Sequence, residues 1–137
     1  MKKVITAKAV VENVPVITDM AAEALESVDC PMKTMVQLQI VLDEIISNIA
    51  RYAYKGTETG DLTVILEVEG EPSVASVTFI DEGRPYDPLA KEDPDITLSA
   101  DEREIGGLGI FMVKKTMDSM TYERRDNRNV LTVTKKL

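Results

Sequence analysis

Glu44 and Asn48 are the two polar side chains that stand out in the stretch LDEIISNIARYAY, residues 42–54. Residues four apart share one face of a helix, and this face lies more than about 100° around from the apolar stripe centred on Leu42 and Ile49. One interpretation is an ordinary solvated face. The other is chemistry: an Asn side-chain oxygen can bind Mg²⁺ beside substrate phosphates, and a Glu one turn earlier can accept a proton from an attacking hydroxyl.

A second candidate group is the segment DEGRPYDP, residues 81–88, which follows a predicted strand. Asp81, at the strand end, can accept a hydrogen bond from an exocyclic amino group such as that of adenine. Gly83, which has no Cβ, would let a base approach the backbone. The simpler interpretation is a turn, because Gly83 and Pro85 are common turn residues.

The third candidate is the segment GGLGI, residues 106–110, which opens a predicted helix. Glycines at a helix N-terminus let backbone N–H groups reach a phosphate, and the helix dipole favours an anion there. The segment matches neither a Walker A loop nor a Rossmann fingerprint, because no Lys-Ser/Thr follows it and no strand leads directly into it. A flexible hinge is the alternative interpretation.

The composition excludes several classes of function. The chain of 137 residues has no histidine, which excludes the usual zinc sites, Ser-His-Asp catalysis and a phosphohistidine relay within this chain. Cys30 is the single cysteine, so no intrachain disulfide can form and a reducing compartment is expected. The net charge of −8 argues against direct binding of nucleic acid. No signal-peptide pattern and no membrane-length apolar run is present, so we expect a cytoplasmic protein.

The apolar periodicity predicts a single domain, residues 1–137, in the order β-α-α-β-β-loop-α-β-β. The predicted strands are 4–13, 62–70, 73–81, 121–126 and 129–137, and the predicted helices are 16–28, 32–54 and 108–120. A long loop, 82–106, precedes the last helix, and loops of that length are usually functional or mobile. Because the strands cluster as hairpins, we predict an α/β (α+β) two-layer sandwich, with a mixed, mainly antiparallel sheet of about five strands and three main helices on one face.

The ordered set of motifs resembles the GHKL superfamily, whose histidine-kinase-like ATP-binding domain is also called the Bergerat fold. A Glu-x-x-x-Asn helix, an Asp-x-Gly-x-Pro strand end, a long loop and a Gly-x-Gly helix start follow one another here. The resemblance covers nearly the whole chain, from Val4 to Lys136. It is closest to the stand-alone anti-sigma-factor serine kinases, on the stretches LDEIISNIARYAY, DEGRPYDP, GGLGIFMVKKTMD and NVLTVTK.

The resemblance implies a role for each candidate residue. Asn48 corresponds to the asparagine that coordinates Mg²⁺ together with the ATP phosphates, and Glu44 to the catalytic base that activates a serine hydroxyl. Asp81 corresponds to the adenine-reading aspartate, with Gly83 beside it. Tyr52 is a departure, because the group often has histidine at this position.

The resemblance also implies where the phosphates and their cover lie. Gly107, Leu108 and Gly109 correspond to the phosphate side of the site, and residues 87–106 to the ATP lid. Together these positions imply a domain that binds ATP with Mg²⁺.

In function, the resemblance implies an ATP-dependent serine-protein kinase that acts as an anti-sigma factor. Its partners would be a sigma factor and an anti-anti-sigma protein of the STAS type, which it phosphorylates on serine. Neither direct nucleic acid binding nor membrane association is expected, and a homodimer is allowed. Three alternatives stay open: a non-catalytic module whose partner affinity is gated by nucleotide, a kinase of the same type with a target other than a sigma factor, and an α/β domain that binds no nucleotide.

Overall fold

The protein, here a computed structural model, is described for residues 1–90 and 107–137. Its strands and helices, in chain order, are β1 (Lys2–Lys8), α1 (Val14–Glu26), α2 (Met32–Asn48), β2 (Asp61–Glu69), β3 (Val74–Asp81), α3 (Gly107–Thr116), β4 (Ser119–Arg125) and β5 (Arg128–Lys136). Short 3₁₀ turns at Val11–Asn13 and Pro88–Ala90 and a π-helical turn at Ile49–Ala53 complete the order. No helix in these ranges combines the length and apolar character needed to cross a lipid bilayer.

The five strands form one sheet in the order β1-β2-β3-β5-β4, and every neighbouring pair is antiparallel. The prediction of a two-layer α/β sandwich with five strands and three helices is therefore confirmed. The expected parallel component is wrong for the described strands, because all four pairings are antiparallel. Two of them are hairpins, β2–β3 and β4–β5, whereas β1 and β2 are joined through α1 and α2, and β3 and β5 are not consecutive in the chain. The register places Asp81, the last residue of the central strand β3, directly opposite Asn129 of β5.

The core lies between the helices and one face of the sheet. Alternate side chains of β2 are buried, among them Leu62, Val64 and Leu66, and the same alternation continues in β3 and β5. This period of two is what a sheet with one covered face requires. The helices contribute apolar residues at steps of three and four, such as Leu38 and Leu42 on α2, which are fully buried.

Two predicted boundaries are wrong for local reasons, and one helix differs from the prediction in type at its end. The first strand ends at Lys8 rather than at residue 13, because the Asn13 side chain donates to the Lys8 carbonyl (3.0 Å) and closes a 3₁₀ turn. The helix predicted to reach residue 54 does continue to Ala53, but its last turn, Ile49–Ala53, is π-helical rather than α-helical. The last helix stops at Thr116 rather than at residue 120, because the Asp118 carboxylate accepts the Lys136 N–H (2.6 Å) and draws the following residues into the sheet.

The end of the long helix is tied to the ends of two strands by Tyr54. Its hydroxyl donates to the Asp61 carbonyl (2.6 Å) at the start of β2 and accepts the Glu82 N–H (2.8 Å) just after β3. This double hydrogen bond fixes the π-helical turn beside the end of β3. The predicted lid, residues 87–106, falls mostly on residues 91–106, which lie outside the described ranges, and it stays a prediction.

Opposite faces of α2 are expected to respond differently to truncation. Leu38→Ala removes a fully buried side chain and should lower the free energy of unfolding by about 2–5 kcal/mol. Val36→Ala is the matched control, because Val36 is 46% exposed on the same helix and should change stability by less than about 0.5 kcal/mol. Urea unfolding measures both, and equal losses would contradict the orientation of α2.

Candidate functional site

A buried carboxylate marks the end of the central strand. Within the described ranges, buried polar or charged residues are few, and two of them, Asp81 (4% exposed) and Asn129 (6% exposed), lie side by side. The Oδ1 atom of Asp81 accepts hydrogen bonds from the Gly83 N–H (2.9 Å) and from Nδ2 of Asn129 (3.0 Å). Within residues 1–90 and 107–137, the Oδ2 atom receives no hydrogen bond and is available to a ligand.

The electrostatic environment of Asp81 is a balance of opposing effects. Burial raises the pKa of this carboxyl above its ordinary value, because desolvation disfavours the charged form. The hydrogen bonds from Asn129 and Gly83 and the positive charge of Arg124 lower the pKa and partly offset that effect. A buried acid with a perturbed pKa beside a cavity is a common feature of functional sites.

Asn129 is a site residue that the sequence analysis missed. Its Nδ2 also donates to the Arg84 carbonyl (2.8 Å), and its Oδ1 accepts the Tyr122 hydroxyl (2.5 Å) and the Tyr86 N–H (3.3 Å). One signal could have found it: Asn129 shares the alternation phase of the buried positions that follow it in β5. A polar side chain at a buried position of a strand needs hydrogen-bond partners, so such a residue indicates a hydrogen-bond network.

Gly83 allows two backbone segments to pack closely. A Cβ atom at this position would lie 2.3 Å from the carbonyl oxygen of Ala53, which is backbone and cannot move aside. The Arg84 N–H donates to that same carbonyl (3.0 Å), and Arg124 donates to the Gly83 carbonyl (2.8 Å). The glycine therefore joins the loop after β3 to the π-helical turn. Its predicted approach to a base stays a prediction.

Glu44 and Asn48 form a hydrogen-bonded pair on the last two turns of α2. Both are half-buried, and Nδ2 of Asn48 donates to Oε1 of Glu44 at 3.3 Å. The pair is therefore not a fully solvated face. With its nitrogen engaged by Glu44, the Asn48 amide has its oxygen available, and within the described ranges that oxygen accepts no hydrogen bond.

The start of α3 lies against this pair. A Cβ at Gly109 would fall 1.9 Å from Oε1 of Glu44, so only a glycine leaves the carboxylate where it is. Gly107 is the first residue of α3, as the sequence predicted for this segment, and Leu108 follows it within the helix. The structure thus brings Glu44, Asn48 and Gly109 together at one helix N-terminus.

A cavity of about 260 Å³ extends between Asn48 and the buried carboxylate. Its lining includes Asn48, Asp81 and Asn129, while Glu44 and Gly109 stand outside it. The volume lies just below the about 300–1,000 Å³ found for small-molecule pockets. One cavity therefore carries two of the predicted site residues, at positions that come from different elements.

The walls of the cavity are apolar and aromatic. Phe79 and Ile110 line it from the sheet and from α3, and Tyr52, Tyr86 and Tyr122 line it from three further segments. Tyr52 and Tyr86 are 47% and 49% exposed, so both rings stand at the opening. A cavity with aromatic walls and a buried carboxylate in its lining suits a flat base that carries an amino group.

The residues present also fit a Mg²⁺ ion bound through phosphates. Asn48 offers a neutral oxygen ligand, and the N-terminus of α3 offers a favourable place for an anion. Across the described ranges, no group of three or more His, Cys, Asp or Glu side chains could hold a metal ion by itself. The donor set therefore fits a cation whose other ligands come from a nucleotide and water, as Mg²⁺ prefers.

Comparison with known proteins identifies the family that the sequence motifs resemble. The model of the histidine kinase-like ATPase domain matches residues 7–135. The chain is similar to the serine/threonine-protein kinase BtrW of Bordetella bronchiseptica, at 30% identity over 71% of this chain and 67% of that protein. It is also similar to the serine-protein kinase RsbW of Listeria monocytogenes, at 30% identity over 61% of this chain and 54% of that protein, so it spans about half the length of RsbW. The chain thus belongs to the histidine kinase-like ATPase family, within the GHKL superfamily, and its relatives include serine-protein kinases.

Proposed function

We propose that this protein is an ATP-dependent serine-protein kinase that acts as an anti-sigma factor in a partner-switching module. The observation that carries the proposal is that Asn48 and Asp81 line the same cavity, with Glu44 hydrogen-bonded to Asn48. The aromatic cavity lined by Asp81 and the helix N-terminus beside Glu44 and Asn48 support nucleotide binding. The similarity to proteins named as serine-protein kinases supports the reaction.

The nucleotide would lie in the cavity with its base at Asp81 and its phosphates toward Asn48. The adenine amino group donates to Oδ2 of Asp81, because Oδ1 is already engaged by Gly83 and Asn129. The triphosphate extends toward Asn48 and the N-terminus of α3, where backbone N–H groups and the helix dipole favour an anion. Mg²⁺, when bound by Asn48 and the phosphates, neutralises charge on the transferring group.

Glu44 is the proposed catalytic base. It accepts the proton of a partner serine hydroxyl while the serine oxygen forms a bond to the γ-phosphorus. The bond between that phosphorus and the bridging oxygen breaks, and ADP leaves. The hydrogen bond from Asn48 and the contact with Gly109 hold the Glu44 carboxylate in place for this step.

The proposed partners follow from the same assignment. The kinase binds a sigma factor, holds it inactive in the cytoplasm, and phosphorylates an anti-anti-sigma protein of the STAS type on serine. The unphosphorylated STAS protein competes for the kinase and releases the sigma factor. A non-catalytic, nucleotide-gated module and a kinase with another regulatory target are the competing functions, and the experiments below separate them from the proposal.

The role of Asp81 predicts opposite effects on binding and on stability. Its carboxyl has a pKa raised above the ordinary 3.8, so its contribution to stability is fully present below 3.8 and is lost as pH rises through the raised value. Asp81→Asn removes the buried charge and should unfold at the same or a higher urea concentration than the wild type at pH 7. Near pH 3.8 that advantage should disappear.

The same variant should bind ADP less tightly, by roughly tenfold to a hundredfold, because a hydrogen bond to a charged acceptor is lost. Calorimetric titration with Mg-ADP measures the affinity. A strongly destabilised Asp81→Asn protein that binds ADP as well as the wild type would give Asp81 a structural role instead.

The role of Glu44 predicts a loss of phosphate transfer without a loss of nucleotide. Wild-type protein, incubated with Mg-ATP and a STAS protein encoded beside its gene, should produce phosphoserine. Glu44→Gln should transfer phosphate about 10²–10⁴-fold more slowly and keep its affinity for ADP. Asp43→Asn is the matched control, because it removes the same charge from the neighbouring, exposed position.

The outcomes divide the competing functions. If the wild type binds ADP but transfers phosphate to no such partner, and Glu44→Gln changes no measured property, the nucleotide-gated module is the better description. If phosphoserine forms but no sigma factor is retained in a pull-down, the kinase acts on another regulatory target.

A further inference from the structure

The network around Asn129 has a feature that the proposed function does not use. Asn129 can donate two hydrogen bonds and accept two, and all four are made within the protein. Their partners come from the end of β3, the loop that follows it, and β4. Because nothing is left over, Asn129 has no donor or acceptor to offer a ligand, although it lines the cavity.

The four hydrogen bonds place Asn129 between the base-reading carboxylate and the loop beside it. On one side it fixes Oδ1 of Asp81, its cross-strand partner. On the other it holds the Arg84 carbonyl and the Tyr86 N–H, and so fixes the loop that carries the Tyr86 ring to the cavity. The Tyr122 hydroxyl occupies the remaining position on Oδ1 of Asn129 and prevents the amide from turning over.

We propose that Asn129 is a positioning residue that sets base specificity: it holds Asp81 with Oδ1 engaged, so that Oδ2 is the single atom presented to the amino group of a 6-aminopurine. The proposal rests on nucleotide binding in this cavity, as argued above. Without Asn129, Oδ1 of Asp81 would keep the Gly83 N–H as its donor and lose the second one. The carboxylate would then be held less firmly and would distinguish an amino group from a carbonyl less well. Fixing one oxygen makes the mismatch with a 6-oxopurine unavoidable.

The protonation of Asp81 gives an independent readout. The hydrogen bond from Asn129 lowers the pKa of Asp81, while burial raises it. The other groups that act on this carboxyl are the Arg124 guanidinium from β4 and the Gly83 N–H, and the Tyr54 phenol lies close enough to feel its charge. Without Asn129, one of the interactions that offset burial is lost, so the pKa of Asp81 rises further. Asp81 then becomes protonated at a higher pH, and the loss of ADP affinity on acidification begins at that higher pH.

The experiment is a double-mutant cycle followed by calorimetry. Mg-ADP and Mg-IDP are titrated into the wild type, Asn129→Ala, Asp81→Asn and the double variant, since IDP carries a carbonyl where ADP carries the amino group. Asn129→Ala should lower ADP affinity about tenfold and reduce the preference for ADP over IDP. In the Asp81→Asn background, Asn129→Ala should lower the ADP affinity little further, because Asn129 acts through Asp81.

Two further variants keep the test decisive. Tyr122→Phe removes the hydroxyl that donates to Oδ1 of Asn129 and leaves the ring in place. It should also reduce the preference for ADP over IDP, but by less than Asn129→Ala does. Asn13→Ala is the matched control, because Asn13 also donates a side-chain hydrogen bond to a backbone carbonyl but does not line the cavity. It should leave both affinities and the pH profile unchanged.

The results separate the proposal from its premise. If wild-type protein binds neither ADP nor IDP, nucleotide binding itself is wrong and the proposal falls with it. If the wild type binds ADP and Asn129→Ala keeps the full preference and the wild-type pH profile, nucleotide binding stands and the positioning role is wrong. Losses that add fully in the double variant would likewise overturn the proposal, because they would mean that Asn129 does not act through Asp81.

Discussion

The hydrogen bond between Asp81 and Asn129 is the interaction on which the rest of the site depends. A carboxylate this deeply buried is unfavourable unless its oxygen atoms find donors, and two donors converge on Oδ1. Those donors come from the residues that also hold the neighbouring loop. The position of β5 beside β3 therefore decides both whether the acid is tolerated and which of its oxygens is left without a donor among the described residues.

The long helix α2 couples this carboxylate to the other end of the site. Its last α-helical turns carry Glu44 and Asn48, and the π-helical turn that follows packs on Gly83 beside the carboxylate. π-Helical turns within helices are often found at functional sites, where they redirect a few side chains. Here the turn brings Tyr52 to the cavity, where its ring is 47% exposed.

The sequence was sufficient for the elements and for part of the site. Strong periodicity predicted all eight strands and helices, and the spacing of Glu44 and Asn48 predicted a shared face that the structure contains. The errors fall where a single side chain ends an element, as Asn13 and Asp118 do, because such hydrogen bonds are tertiary and leave little trace in a local pattern. Asn129 escaped notice for a related reason: its importance comes from a partner 48 positions away in the chain.

The central claim is that Asp81, held by Asn129, reads the amino group of adenine. A crystal structure of the protein with Mg-ADP tests it most directly. The account predicts the adenine amino nitrogen about 2.7–3.2 Å from Oδ2 of Asp81, with Oδ1 still bound to Asn129 and the phosphates extending toward Asn48. An adenine bound elsewhere, or in this cavity with its amino group turned away from Asp81, would contradict it.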